Sequence, residues 1–201
     1  MVANGGELVG RIQLFTKEEI TSAALELTRA KGSDAVTARA LAAHLGSSSR
    51  PIFGLFKNMD EVHASVATAA LPQYRAYVER EIASGVYSVY KAVGMAYIRF
   101  AREEKNLFYA MFVERDTLES LQGAKTPAAI LKTVCTGTGL SREAVRRFHT
   151  EMWCVVHDIA CSGTENYAGT SEETASELFD RTYTELITRY LHEESEEGEK
   201  P

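Results

Sequence analysis

Proline and cysteine are both scarce in this chain. Only four prolines occur in 201 residues, and strand-like alternation between turn dipeptides is missing, so we expect an all-α fold. Three cysteines cannot complete a disulfide framework, which excludes a disulfide-stapled domain and favours a reducing cytoplasm. No apolar run approaches the roughly 20 residues of a membrane span, and the N-terminal sequence lacks the basic start and apolar stretch of a secretory signal. We therefore predict a cytoplasmic protein with no membrane partner.

Motifs of the common enzyme classes are missing as well. The sequence has no phosphate-binding P-loop, no Gly-x-Ser-x-Gly, no His-Glu-x-x-His and no paired Glu-x-x-His of a di-iron bundle. The stretch 137–142 (GTGLSR) imitates a dinucleotide-binding loop, but it follows a predicted helix instead of a strand. We therefore expect no enzyme, no cofactor and no metal site.

Charge of one sign is in slight excess, and it is unevenly distributed. The net charge is -6, which taken for the whole chain argues against nucleic acid as a partner. Residues 1–60, however, carry seven basic and six acidic side chains, so the net charge is +1 there and -7 in the remainder. Because the acidity belongs to the C-terminal part, the N-terminal part remains a candidate for DNA binding.

Capping residues and glycines divide the sequence into helices. Thr16 with Glu19 forms a capping box, Thr37 caps a short helix, and Asn58 opens a long helix that reaches about Ser84 with a bend at Pro72. Further helices are predicted at about 87–104, 106–115, 126–137, 141–162 and 171–193. These elements suggest a flexible arm (1–15), a small helical domain (16–62), a larger helical domain (63–193) and a frayed acidic tail (194–201).

Residues 41–56 (LAAHLGSSSRPIFGLF) have the layout of a helix-turn-helix. Gly46 supplies the positive φ of the tight turn. Ser48 or Ser49 caps the second helix, and Pro51 falls at its second or third position, where the backbone N–H has no acceptor within the helix. Small polar residues and one arginine face outward, which suits a helix that enters a major groove. The same layout also occurs in all-α proteins that never contact DNA, so spacing alone leaves both interpretations open.

A specific ordered series of residues surrounds this motif. It comprises Ala23-Ala24-Leu25-x-Leu27, Lys31-Gly32, Thr37-Ala38-Arg39-Ala40-Leu41-Ala42, Leu45-Gly46-x-Ser48, and Ile52-Phe53-x-x-Phe56-Lys57-Asn58-Met59-Asp60-Glu61-Val62. Over Phe15 to Val62 the sequence thereby resembles the TetR (tetracycline-repressor) family of bacterial regulators. The resemblance implies an N-terminal three-helix DNA-binding domain and a C-terminal helical domain for ligand binding and dimerisation.

The resemblance also implies roles for individual residues. In this family the residues at the positions of Thr37 and Lys57 typically hold phosphates, and the aromatic residue at 53 lies on the sugar-phosphate backbone. The residues at 49, 50, 51 and 54 typically reach bases. The implied DNA-binding set is Thr37, Arg39, Ser48, Ser49, Arg50, Pro51, Phe53, Gly54 and Lys57.

Three of these positions depart from the family pattern. Phe53 stands where tyrosine is usual and cannot donate a hydrogen bond to phosphate. Gly54 replaces a frequent histidine and weakens the helix by roughly 0.5–1 kcal/mol. Arg50 occupies a place often held by glycine, and we expect it to supply the recognition that the histidine would give. These changes make a helical adaptor without specific DNA readout the alternative function.

Adaptable apolar side chains accumulate in the C-terminal part, as in many small-molecule sites. Each of them could equally belong to an ordinary core. His149 and His157 could orient a ligand. The predicted effector-binding set is Met95, Tyr97, Phe100, Phe108, Tyr109, Phe112, His149, Met152, Trp153 and His157, and the predicted effector is apolar or amphipathic.

Two helices offer apolar faces for a homodimer. One face lies on the last helix, and the other lies on the helix before it. Together with their copies they could form a four-helix bundle across a two-fold axis. The first face comprises Ala175, Leu178, Phe179, Tyr183, Leu186, Ile187, Tyr190 and Leu191, and the second comprises Ala144, Val145, Phe148, Met152, Val155, Val156 and Ile159.

Cys154, His157 and Cys161 share one predicted helix face, with Cys135 available from elsewhere. Thiolate and imidazole bind soft or borderline metals, and the same cysteines could sense oxidants. A buried structural cysteine is the commoner case. The sequence thus predicts a ligand-responsive homodimeric repressor of a palindromic operator, with a metal or thiol sensor of the same fold as a further alternative.

Overall fold

The computed structural model describes residues 14–114, 128–162 and 170–198. Most of the predicted arm, including Arg11, lies outside the described residues, as do the predicted helix start at Thr126 and Pro127 and the end of the acidic tail. Within the described ranges every regular element is helical and no strand occurs. The predicted all-α fold class is confirmed.

Nine α-helices and one short 3₁₀ turn (Ser33–Ala35) cover the described part of the chain. The α-helices are α1 (Lys17–Lys31), α2 (Ala38–His44), α3 (Arg50–Leu55), α4 (Met59–Ser84), α5 (Val89–Glu103), α6 (Lys105–Phe112), α7 (Ala128–Thr138), α8 (Arg142–Ser162) and α9 (Glu172–Gly198).

Most helix starts follow from capping side chains. The Thr16 hydroxyl accepts a hydrogen bond from the backbone N–H of Glu19, and the Glu19 carboxylate accepts one from the N–H of Thr16, as the capping box predicts. Thr37, Ser141 and Ser171 each accept a hydrogen bond from the N–H three residues later. α4 continues across Pro72, so this proline does not divide the helix.

The last helix is longer than the sequence predicts. It runs to Gly198, five residues beyond the predicted end at Glu193. Its last turns hold ion pairs that the acidic composition concealed, including His192 with Glu196 at 3.4 Å and Arg189 with Glu193 at 3.5 Å. Glutamate is also a good helix former, so residues up to 198 are helical and the predicted frayed tail is wrong for them.

The chain separates into two compact units after Ala69, within α4. In the first unit, α1–α3 and the start of α4 enclose a core of buried apolar residues. This core consists of Ile20, Ala23, Ala24, Leu27, Val36, Leu41, Ala42, Ile52, Phe56, Val62 and Val66.

In the second unit α5 is the central helix. It packs against α6, α7, α8 and α9. Gly94 permits the close approach of α9, because a Cβ at this position would lie 2.6 Å from the Phe179 ring. A buried carboxylate, Glu81 on α4, forms an ion pair with Arg99 on α5, which also pairs with Glu172 at the start of α9.

Candidate nucleic-acid interface and aromatic cluster

The outer face of the helix-turn-helix is formed by residues that the first-unit core does not need. Ile52 and Phe56 point into that core and are 0% and 1% exposed. Between them on α3, Phe53 and Gly54 are exposed. Gly46, with φ at +61°, makes the turn between α2 and α3, as predicted.

The nine predicted DNA-binding residues all lie at the surface of the first unit. Seven are exposed and two, Ser49 and Pro51, are half-buried. The exposed seven are Thr37, Arg39, Ser48, Arg50, Phe53, Gly54 and Lys57. The structure leaves all nine side chains accessible.

Three cations on this surface are available to an anionic partner. Arg39, Arg50 and Lys57 are exposed and form no salt bridge with any residue in the described ranges. Lys17 differs, because its ammonium lies 2.6 Å from Glu61 and 4.7 Å from the centre of the Phe56 ring. Lys17, which the sequence offered as a possible arm residue, thus serves the fold of the first unit.

Lys57 is held in place through its backbone. The Lys57 N–H donates to the Glu61 carboxylate at 2.8 Å, and the Glu61 N–H donates to the Asn58 side chain at 3.0 Å. The hydrogen bond from Lys17, followed by that from the Lys57 backbone, lowers the pKa of Glu61. This arrangement fixes the backbone of Lys57 and leaves its ammonium group exposed.

The start of α3 differs from the prediction. Ser49 is the N-cap residue, but its side chain makes no capping hydrogen bond, so the predicted capping role of Ser48 or Ser49 is wrong. The Ser49 backbone lies near φ -72° and ψ -13° instead of the extended conformation that aims a hydroxyl at the helix. Pro51, at the second helical position as predicted, makes a cap less necessary because it has no N–H to satisfy.

An aromatic cluster occupies the second unit and is centred on Tyr97. Its ring lies 4.8–6.1 Å, centroid to centroid, from those of Phe108, Phe112, Trp153 and His157. Six of the predicted ligand residues are buried, namely Met95, Tyr97, Phe100, Phe108, Phe112 and Met152, and the other four, Tyr109, His149, Trp153 and His157, are half-buried. The structure therefore brings the set together as a packed core with a partly accessible edge.

Two tyrosine–histidine contacts join α5 to α8. The Tyr90 hydroxyl lies 3.0 Å from His149 Nδ1, and the Tyr97 hydroxyl lies 2.9 Å from His157 Nδ1. Burial raises the pKa of both tyrosines and lowers the pKa of both histidines, the latter effect outweighing the nearby Asp158 at His157. All four side chains are thus neutral near pH 7, where each imidazole offers one donor and one acceptor nitrogen.

Sequence reasoning missed Tyr74 on α4. Its ring lies 5.4–6.1 Å from the rings of Tyr97, Phe100 and Phe112, and its hydroxyl has no hydrogen-bond partner among the described residues. Burial raises the Tyr74 pKa. The signal that could have found it is its position within α4, since Tyr74 and Tyr77 lie three residues apart and both contact Phe100.

Two protein-family models match this chain. The model described as "Bacterial regulatory proteins, tetR family" matches residues 20–66, and the model "Tetracyclin repressor-like, C-terminal domain" matches residues 90–186. The chain belongs to the TetR family. Comparison with curated proteins returned no match. This TetR-family protein is accordingly a DNA-binding transcriptional regulator and not an enzyme, and none of the helices in its described ranges is long and apolar enough to cross a membrane.

The cysteines of this TetR-family regulator do not assemble a metal site. In the described ranges, no three His, Cys, Asp or Glu side chains are placed to hold a metal ion. Cys154 is exposed, whereas Cys161 is half-buried with its Sγ 3.5 Å from His157 Nε2. The two cysteines that share a helix face in the sequence pattern therefore have different surroundings, and only one contacts the imidazole.

Proposed function

We propose that this TetR-family regulator is a ligand-responsive homodimeric repressor that binds a palindromic operator in the cytoplasm. The observation that carries the DNA-binding part is the surface of α2 and α3. It combines an unpaired Arg50 and Lys57 with exposed small residues on a helix whose other face is held in a core. Such a helix can enter a major groove and present an arginine to base edges.

The proposed contacts fall into two kinds. Thr37, Arg39, Ser48 and Lys57 hold phosphates and set the orientation of the protein, with Phe53 packed on the sugar-phosphate backbone. Ser49, Arg50, Pro51 and Gly54 face the bases. Because Thr37 uses its hydroxyl oxygen to cap α2, its O–H is left to donate to a phosphate oxygen.

Substitution of the two cations separates these roles. Arg50→Ala should cost about 1–3 kcal/mol on the operator and relax base preference, while Lys57→Ala should weaken all sequences alike and lower the salt slope by about one. Lys31→Ala is the matched control, since it removes one exposed cation from α1 of the same unit, outside the proposed face. The measurement is a mobility-shift titration on genomic fragments at several salt concentrations.

The outcome decides between the proposal and its alternative. A sequence-selective band that Arg50→Ala weakens and Lys31→Ala leaves within about twofold supports DNA readout. Equal affinity for genomic and random DNA in the unsubstituted protein would instead favour a helical adaptor that has kept the fold without specific readout.

We place the effector at the half-buried edge of the aromatic cluster. Tyr109, His149, Trp153 and His157 are partly accessible there, and the Tyr74 hydroxyl is without a described partner. Apolar rings with a few polar groups suit an amphipathic molecule with at least one hydrogen-bonding group. The buried members, Met95, Tyr97, Phe100, Phe108, Phe112 and Met152, form the inner wall.

Trp153 is the only tryptophan and reports on this edge directly. We expect anilinonaphthalene sulfonate, an amphipathic aromatic probe, to bind saturably and to accept excitation energy from Trp153. His157→Gln should weaken this binding several-fold, whereas Val86→Ser, at an exposed position between α4 and α5, should not. Non-saturable binding, or equal affinity in both variants, would contradict the placement.

The response to an effector follows as a population shift. Effector contacts would favour a dimer whose two recognition helices no longer match the half-site spacing of the operator. In the described part of the chain, α4 is the element with residues in both units. We propose that this helix carries the change.

A further inference from the structure

The Cys161 thiol and the His157 imidazole form a pair that DNA binding does not use. Both lie on α8, four residues apart, which places them on neighbouring turns of one face. The Sγ–Nε2 distance is 3.5 Å, within reach of a sulfur hydrogen bond. Cys161 is half-buried, so the thiol is sheltered and still accessible.

The imidazole is oriented from its other nitrogen. His157 Nδ1 lies 2.9 Å from the Tyr97 hydroxyl on α5. In the tautomer with the proton on Nδ1, that N–H donates to the tyrosine oxygen and the lone pair of Nε2 faces the thiol. Burial keeps His157 neutral near pH 7 by lowering its pKa, with Asp158 acting in the opposite sense. A neutral imidazole facing a thiol is a general base for that thiol.

We propose that Cys161 is a reactive thiol, assisted by His157, that takes up soft electrophiles of the α,β-unsaturated carbonyl class. His157 Nε2 accepts the thiol proton, and the thiolate forms a carbon–sulfur bond at the β-carbon of the electrophile. The carbon–carbon π bond breaks, and its electron pair takes the proton back from the imidazolium at the α-carbon. The addition balances without an oxidant, a reductant or a further co-reactant.

The surroundings suit a flat conjugated molecule. The Trp153 ring is stacked on the His157 ring at an interplanar angle of 21°, and the Phe108 ring lies 6.1 Å from it, tilted by 32°. Planar unsaturated carbonyl compounds could lie against these rings beside the sulfur. The reaction needs neither DNA nor a dimer, so the proposal goes beyond the proposed function and is tested separately from it.

The test uses N-ethylmaleimide, an α,β-unsaturated imide, at limiting concentration. Modification of each cysteine is followed by peptide mass spectrometry. Cys154 is the matched internal control, because it lies on the same helix and is more exposed, yet none of its hydrogen bonds to the described residues involves an imidazole. The quantity measured is the ratio of the Cys161 rate to the Cys154 rate.

We expect His157→Gln to lower this ratio by about threefold or more at pH 7. A base-assisted thiol gains about tenfold in thiolate fraction and loses part of that gain through lower nucleophilicity. An unchanged ratio in a variant that keeps its helical circular dichroism would overturn the proposal. The Cys154 rate shows whether the variant has stayed folded.

A second measurement requires no substitution. In the unsubstituted protein, the rate at Cys161 should approach its plateau at a lower pH than the rate at Cys154. The ionisable groups near the pair are His157 itself, Asp158 on the same helix, Tyr97 on α5 and, beyond it, Tyr74 on α4. Superimposable pH profiles for the two cysteines would count against the assistance of His157. Tyr97→Phe, which removes the group that orients the ring, should move the Cys161 profile towards that of Cys154.

Discussion

Gly54 is the residue whose identity the fold explains least. It lies in the middle of α3 with a helical backbone, and a Cβ added there would meet nothing within 4 Å. Glycine in a helix interior costs about 0.5–1 kcal/mol relative to alanine. Since neither packing nor a positive φ requires glycine here, close approach of a partner to this part of the helix is the remaining physical reason.

Substitution at this position should therefore separate stability from binding. We expect Gly54→Ala to raise the free energy of unfolding by about 0.5–1 kcal/mol and to weaken DNA binding. Gly137→Ala is the control, because Gly137 is also helical, is exposed and has nothing within 4 Å of an added Cβ. Chemical denaturation and mobility-shift assays of both variants check this. Stronger DNA binding by Gly54→Ala would contradict the close approach.

Local patterns at the residue scale were readable from the sequence to different degrees. The capping box at Thr16 and the turn glycine Gly46 follow from rules that involve residues at most four apart, and the structure has both. The pairing of Lys17 with Glu61 spans 44 residues, and the burial of Tyr74 depends on α5 and α6 packing over it. No local pattern encodes such contacts, because they arise when helices meet.

At the scale of helices, the apolar face of α8 is used inside one chain. Ala144, Val145, Phe148, Met152, Val156 and Ile159 are buried without any second copy. On α9, Ala175, Phe179 and Tyr190 are likewise buried, while Leu178, Leu186 and Ile187 are half-buried and Leu191 is 43% exposed. The surface proposed for dimerisation is therefore narrower than periodicity alone predicts, and it is carried mainly by α9.

Charge placed on this narrower face should prevent association. We expect the double variant Leu186→Glu, Leu191→Glu to sediment as a monomer at concentrations where the unsubstituted protein is a dimer, because it buries two uncompensated carboxylates at the proposed contact. Val86→Glu, at an apolar side chain that is 71% exposed elsewhere in the second unit, is the control. Analytical ultracentrifugation measures this, and a dimer that persists in the double variant would exclude this face.

Helix boundaries show which part of the architecture is local. The starts at Thr37, Ser141 and Ser171 were predictable from side-chain chemistry. The end of α9 was not, because its last turns combine a run of like charges, which suggests fraying, with ion pairs to Arg189 and His192. Whether repulsion or pairing prevails depends on which residues face each other.

For the whole molecule, acid should weaken the second unit before carboxylates begin to titrate. Burial lowers the pKa of His149 and His157 in the folded protein, so the unfolded chain binds more protons as the pH falls through about 6.5. Stability then rises with pH and is lost on acidification. We expect the melting temperature to fall between pH 7.5 and pH 5.5, and to fall less when both histidines are replaced by glutamine. Equal slopes in scanning calorimetry would show that neither imidazole is responsible.

Net charge illustrates the same lesson at this scale. The whole-chain value of -6 argued against DNA, but its distribution and then the surface of α2 and α3 identified where an anion can bind. The fold class was predictable because helix periodicity is a property of short segments. The accessible edge of the aromatic cluster was not, since composition alone cannot distinguish a packed core from a binding site.

The two tyrosine–histidine contacts set an entry condition for any molecule that reaches the space between α5 and α8. A guest that pushes these helices apart must break at least one of the contacts, which are 3.0 Å and 2.9 Å long. A hydrocarbon would leave a sheltered hydroxyl and an imidazole nitrogen without partners, at a cost of about 1–3 kcal/mol for each group. A guest with its own donor or acceptor would restore them. The protein thus discriminates by what an intruder fails to replace, and pure hydrocarbons are turned away at the same rungs that admit a polar aromatic molecule.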